Sequence, residues 1–550
     1  MKLRRVRITE NSEQDTAEFV ILPGLREQAR RGGIRRLTAL ESDRRKIEET
    51  YLKAVDIGYS YRLAKKMEEF KSNPVLGYRT AGSKAEFDTG EFLKEEMKRI
   101  GLSDIHKDEL CLDSWEFEKA IMRFTDRTGK EHEFQLGAYQ TGGAAAEFLR
   151  NTEFMEVEKP DDTTPKRVNA IVNGTEDDPT PNVGVDHPNI VAIMNESWAD
   201  FEDFGNLTLT ESPMNYINSV SNAIHGHAYT SVFGAGTSTS EFEFLTGNSM
   251  NFLPSGSIPY QQYILGPTDS LATLLKGYGY ETRAFHPGEQ TSWQRNIAYP
   301  RLGFDSFKCG EDMDVPQTEE HGYVSDDSDF EQIIWEFEHK DESTPLFLFN
   351  VTIQNHGSYT VEDSPAEVQL ADEPGAYPKA EQYLTLANKT DEAFKKLIDY
   401  FSAQTEPTIL VMFGDHQPSI ESSLVTKLLG VGSTLDLTTE QQQRQYITPF
   451  VIWANFDIEE REIERLSANY LSSLVLQTAG VQMSDYDRYL LKLSEILPVI
   501  DNVGLIDANG VHYSHGEKTP YDDLVNDYRK VVYNLMFDPD HRCGSVFSPN

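Results

Sequence analysis

At 550 residues, 38% hydrophobic and 26% charged, the chain can bury a large core and has room for more than one domain. Its longest apolar runs, PLFLFNVTI and TILVMFG, fall far short of the roughly 20 residues that cross a bilayer, and they read as buried strands. A net charge of −39 excludes a nucleic-acid partner and a broad electrostatic grip on anionic membranes, leaving room for a local anion site governed by a metal ion and a few basic groups.

Residues 1–44 are charged, Arg-rich in RRGGIRR, and carry no assignable pattern. The opening MKLRRVRITENSEQ lacks an apolar h-region, so no signal peptide is expected. Residues 45–141 read as a helix-rich piece followed by short strands. Within them SKAEFDTGEFLKEEMKRIGL predicts an amphipathic helix with Phe87, Leu93, Met97 and Ile100 near one face and Gly101 as the stop. SWEFEKAIMRFTD and GKEHEFQLGAY predict two strands around the turn RTG. Residues 142–187 are expected to be a linker, on the Pro, Asp, Thr and Asn content of the stretch 156–189. Cys111, Cys309 and Cys543 are too far apart in sequence for a metal-type pair and imply no disulfide framework.

From residue 188 the pattern changes to apolar strands alternating with helices, with no internal repeat. NIVAIMNES, TPLFLFNVTIQNHG, TILVMFGDH and TPFVIWANFD read as buried strands, and DSLATLLKGYGYETRAFHP as helix, glycine turn and strand. YLTLANKTDEAFKKLIDYF predicts a helix with Tyr383, Ala387, Thr390, Phe394, Leu397 and Phe401 on one stripe. This alternation predicts an α/β domain with a largely parallel central sheet.

In such sheets ligands bind beyond the carboxyl ends of the strands. The residues there are Glu196 after NIVAIM, His356 after PLFLFNVTI, and Asp415 with His416 after TILVMFG. Two carboxylates and imidazole nitrogen suit a divalent ion such as Mn²⁺, Mg²⁺ or Zn²⁺. Such an ion lowers the pKa of a bound hydroxyl, which is otherwise a weak nucleophile. The stretch VFGAGTSTSEFEFLTG supplies hydroxyls where a Gly-rich turn enters a helix. Each item alone has an ordinary reading: a loop carboxylate, a chance Asp-His pair, a loop histidine, a capped helix. Their coincidence at strand ends favours the metal site. Ser238, Thr239 and Ser240 are expected to cap the helix, with Glu241 and Glu243 in its first turn.

From about Ala145 onward the motifs NIVAIMNESW, VFGAGTSTSEFEFLTG, FHPGEQTSWQR, TIQNHG and VMFGDHQP resemble lipoteichoic acid synthases and related phosphoglycerol transferases of the sulfatase and alkaline-phosphatase superfamily. The resemblance implies an alkaline-phosphatase/sulfatase-like three-layer domain at 188–487, with 488–550 as its C-terminal extension. It implies that Thr237 is both catalytic nucleophile and metal ligand, with Glu196, Asp415 and His416 as the other ligands. It gives His356, Trp293 and Arg295 the role of substrate contacts, Arg295 as a fork for phosphate. The implied reaction moves glycerol phosphate from phosphatidylglycerol, or another glycerophosphate donor, through a phospho-threonine to a polyglycerolphosphate or glycolipid acceptor. The Cys/Ser-x-Pro-x-Arg signature of formylglycine sulfatases surrounds none of the three cysteines. A soluble phosphodiesterase or phosphatase of the same superfamily, and an inactive fusion remnant, are the alternatives.

Two departures stand out. Gly288 occupies the position where the family pocket often carries an acidic residue. The family's membrane helices have no counterpart here. The resemblance places the activity at the outer face of the cell membrane, whereas this sequence, if complete, would stay in the cytoplasm. GYRTAGSKAEFDTGEFLKEEMKRIGLSDIHKDELCLDSWEFEKA instead resembles the start of an M28-type zinc aminopeptidase, so 45–141 is expected to be a partial α+β segment lacking the zinc ligands.

Overall fold

The computed structural model describes residues 157–173, 183–360, 365–434 and 437–548 continuously, together with several short elements nearer the N-terminus. Two compact units divide the chain, Met1–Met155 and Glu156–Asn550.

In the first unit Arg4–Thr9 pairs antiparallel with Thr16–Ile21, giving the unassigned opening residues a hairpin. The two expected later strands form as Ile121–Thr125 against Glu131–Gln135. The expected amphipathic helix runs Lys84–Arg99, but Phe87 and Met97 on its apolar face are exposed, and Ala85 and Thr89 are its buried residues. A second helix, Ile57–Met67, also forms in this segment, and most of the rest of 45–141 lies outside the described residues.

The second unit is built on an eight-stranded sheet. We number its strands β1 Asn189–Asn195, β2 Ala223–Tyr229, β3 Glu281–His286, β4 Ser306–Cys309, β5 Leu346–Val351, β6 Thr408–Gly414, β7 Ile447–Ala454 and β8 Arg461–Ser467. Their spatial order is β8-β2-β7-β6-β1-β5-β3-β4. Only β7 runs against its neighbours, so the sheet is mixed but mostly parallel.

Continuous apolar runs at the sheet centre follow from burial on both faces. On β1, Ile190, Ala192 and Met194 enter one core while Val191 and Ile193 enter the other. The same alternation divides Ile409, Val411 and Phe413 of β6 from Leu410 and Met412. Helix α2 (Thr237–Thr246) belongs to the first core, and α3 (Asp326–Glu338) and α4 (Pro378–Ser402) cover the second. The result is an α/β/α three-layer fold. The predicted stripe on α4, from Tyr383 to Phe401, is buried throughout.

One expectation is corrected here. The stretch read as linker contains helix α1 (Pro165–Val172), capped by Thr164 and opened by Pro165. Val168 and Val172, one turn apart, are fully buried in the first core, and Arg167 Nη2 donates to both carboxylate oxygens of Asp527 at 2.9 Å. Flanking Pro and Asp residues dominate the composition and conceal a two-turn amphipathic helix.

Candidate active site

Strands β6, β1, β5 and β3 are consecutive and parallel, so their carboxyl ends meet along one edge. Asp415 and His416 follow β6, Glu196 follows β1, His356 lies in the loop after β5, and His286 closes β3. Close approach of β1's exit loop to the end of β6 depends on Gly414: a Cβ there would stand 1.9 Å from the carbonyl oxygen of Trp198. Ser197 turns in the left-handed region, φ 50°, and its N–H donates to Asp415 Oδ1 at 2.6 Å. Below the site, Asn355 Nδ2 donates to Asn195 Oδ1 and Asn195 Nδ2 to Asp326 Oδ2, both at 2.9 Å, which ties the β5 loop to the end of β1.

Glu196, Asp415 and His416 are all buried, and one ligand atom from each lies within 4.8 Å of the others. His416 Nδ1 contacts Gln417 O at 3.0 Å; with the proton there, Nε2 is left as a lone-pair donor. Asp415 Oδ2 is buried, makes no hydrogen bond, and lies 3.2 Å from His416 Nε2, so the two candidate ligand atoms face each other across a space suited to a cation. Burial, reinforced by the Glu196 charge, pushes Asp415 up to about 7. Burial opposes the charged form of His416, but Asp415 and Glu196 outweigh it and raise the imidazole. Two carboxylates pressed together in a dry site, each better off with a positive neighbour, fit a hard divalent ion.

Thr237 is the first residue of α2, and its hydroxyl donates to Glu196 Oε2 at 3.3 Å. Gly236 makes the turn with φ 107°, where a Cβ would also crowd Val232 Cγ1 at 2.9 Å. The structure overturns the expected side-chain cap: the N-cap is Gly236, and no side chain caps the helix. Ser240 Oγ instead donates to the Asp415 carbonyl at 2.5 Å, joining the helix to the loop after β6. Glu241 and Glu243 are likewise drawn into the interior.

A cavity of about 390 Å³ opens beside Thr237 and Glu196, lined also by His286, Trp293, His356 and Lys379. Trp293 sits at φ 55° with its ring half-buried against the first core. His356 is exposed, with Nδ1 at 2.6 Å from Gly357 O. Arg295 also lines the cavity, but its environment differs from that of a free phosphate fork. Its Nε and Nη2 donate to Glu241 Oε1 at 2.9 and 2.6 Å, and Tyr299 OH donates to Oε2 at 2.6 Å. Thus Glu241 answers the charge expected to hold phosphate.

His286 and Lys379 were missing from the expected site. His286 obeys the same strand-end rule that points to Glu196, Asp415 and His416, so FHP was readable. Its Nδ1 contacts Val351 O at 2.8 Å, and burial, with Arg295 nearby, holds the imidazole well below its ordinary range. The ring is therefore neutral, with Nε2 an acceptor. A Cβ at Gly288 would lie 2.5 Å from that Nε2, which accounts physically for the lack of a side chain where the family pocket often has an acid. Lys379 lies in the first turn of α4, where lysine is unremarkable in sequence.

Fold and site together define an alkaline-phosphatase-like α/β enzyme with a candidate centre for a divalent ion. The sulfatase family profile matches residues 188–481, more than half of the 550, and the chain belongs to that family. A Rhizobium meliloti (strain 1021) protein provisionally described as acting in cyclic beta-1,2-glucan modification is 32% identical over 359 residues, 64% of this chain and 55% of that protein. The chain thus spans about half the length of that relative. Among solved structures, the Streptococcus pyogenes phosphoglycerol transferase GacH in complex with sn-glycerol-1-phosphate aligns with TM-score 0.57 and 17% identity, over 71% of this chain and 99% of that one. An alkaline phosphatase superfamily protein of Vibrio parahaemolyticus aligns with TM-score 0.51 and 15% identity, over 72% and 100%. These two share the fold.

Proposed function

We propose that the chain is a metal-dependent phosphoglycerol transferase in which Thr237 is the nucleophile. The observation carrying this reading is the Thr237 hydroxyl at the N-terminus of a buried helix, 3.3 Å from a carboxylate of the Glu196, Asp415 and His416 group. Those three residues and Thr237 would hold one divalent ion, Mn²⁺ by family resemblance, which supplies Lewis-acid stabilisation of the phosphoryl oxygens and of the threonine alkoxide.

In the first half-reaction the Thr237 Oγ1–P bond forms as the P–O bond to the donor's leaving alcohol breaks. Glu196 Oε2 is placed to receive the threonine proton, which leaves with the alcohol. In the second half an acceptor hydroxyl attacks the phospho-threonine, and Thr237 regains its proton from that hydroxyl. His356 and the neutral His286 line the cavity where the transferred group must sit. A glycerophosphate donor such as phosphatidylglycerol fits both the resemblance and the GacH complex. A glycan hydroxyl as acceptor fits the description of the Rhizobium relative, beside the polyglycerolphosphate or glycolipid acceptors of the synthases. A lipid donor would place the reaction at the outer membrane face.

The test is release of diacylglycerol from phosphatidylglycerol by the Mn²⁺-loaded full chain. Thr237→Ala should abolish release, and release at the normal rate by that variant would remove Thr237 from the role. Transfer to an added glucan supports the transferase reading; turnover with water as the only acceptor would make the enzyme a phosphodiesterase.

A further inference from the structure

Charge around the cavity is nearly cancelled. Glu196 and Asp415 together would balance one divalent ion, Arg295 is paired with Glu241, and burial disfavours the charged form of His286. An anionic substrate entering a chain of net charge −39 therefore needs a further cation. Lys379 lines the same cavity and is half-buried there. Its ammonium has no carboxylate partner among the described residues. By contrast Lys389, Lys395, Lys396 and Lys427 on α4 or beside it all have one.

The backbone beneath Lys379 is fixed. Glu421 accepts the N–H groups of Lys379 at 2.8 Å and Ala380 at 3.1 Å through its two oxygens. That carboxylate is thereby spent on the start of α4, a 25-residue helix, so the lysine side chain carries the positive charge. A part-desolvated ammonium without a carboxylate partner, on a firmly anchored helix end that lines the cavity, is suited to bind an anion.

We propose that Lys379 selects for anionic substrates, binding phosphate oxygens of the group that enters the cavity. It is a specificity residue and takes no part in bond making. The proposal rests on the glycerophosphate reading of the site, and the experiment separates the two. Binding of sn-glycerol 1-phosphate, inorganic phosphate and uncharged glycerol is measured by calorimetry on the full chain, with and without Mn²⁺, in a Thr237→Ala background where no turnover intervenes.

Lys379→Ala should weaken both phosphate probes about tenfold or more, the scale of one charge-assisted hydrogen bond, and leave glycerol unchanged. Lys379→Arg should recover most of the loss. In the turnover assay Lys379→Ala should raise KM with kcat nearly constant. Unchanged phosphate affinity in Lys379→Ala, with the wild-type melting temperature retained, overturns the role of Lys379 while leaving the site reading intact. Failure of the chain with Thr237 and Lys379 both intact to bind either phosphate probe in the presence of Mn²⁺ overturns both.

Discussion

Arg295 shows how a residue's role depends on a partner remote in sequence. Its guanidinium and the Glu241 carboxylate, 54 positions apart, are both almost wholly buried, and Tyr299 completes the carboxylate's hydrogen bonds. Removing one member strands a charge in the interior, which costs about 3–5 kcal/mol. Glu241→Gln should therefore destabilise the second unit by that amount in a urea titration, and Glu241→Leu with Arg295→Met should recover much of it. A loss below about 1 kcal/mol would mean that the pair is reached by water. The same substitution should also disturb catalysis, because Glu241 lies on the helix that begins with Thr237. Glu196, Asp415 and His416 were legible because each follows an apolar run whose end can be read directly. The Glu241 partnership was not, because nothing local distinguishes an acid facing solvent from one turned inward.

Helices repeat this contrast one level up. The long α4 was readable from its apolar stripe, since six residues at helical spacing leave little choice of face. Helix α1 is hidden in the sequence because eight residues offer only three such positions, Val168, Ile171 and Val172. Its stability comes from docking, as is general for helices too short to persist alone. Val168→Ala should cost about 1–3 kcal/mol through lost apolar burial and a residual cavity. Loss of the Glu156–Asn550 unit's cooperativity on removing residues before 188, read as a broadened melt, would give the same answer; full stability of Val168→Ala would make α1 an ornament. Helix α2 departs from expectation for a related reason. All ten of its residues are buried, so Ser240 and Glu243 find tertiary partners in place of local capping ones.

Whole-molecule stability should carry the signature of buried acids. Burial raises Glu243 to about 8, and its Oε2 is buried without a partner, consistent with a protonated carboxyl. Asp501 is raised to about 7, again by burial. Unfolded, Glu243 releases its proton near the ordinary 4.5. Folding thus takes up a proton between those values, so this group's contribution is complete below about 4.5 and is lost as pH rises towards about 8. The slope for one proton is about 1.4 kcal/mol per pH unit. Glu243→Gln should flatten the decline in unfolding free energy over that range, leaving the part due to Asp501. An unchanged slope would place an ionised Glu243 in the folded chain.

The sequence by itself determined the α/β class, the buried central strands, and the strand-end placement of Glu196, Asp415 and His416, because the end of an apolar run is a local feature of the chain. Tertiary structure decided which strands are neighbours, and so why β6, β1, β5 and β3 deliver their end residues to one place. It also decided which charges are spent and which remain. Arg295 is answered by Glu241 while Lys379 keeps its charge for the cavity, a distinction that arises only when residues far apart in sequence are packed together without water.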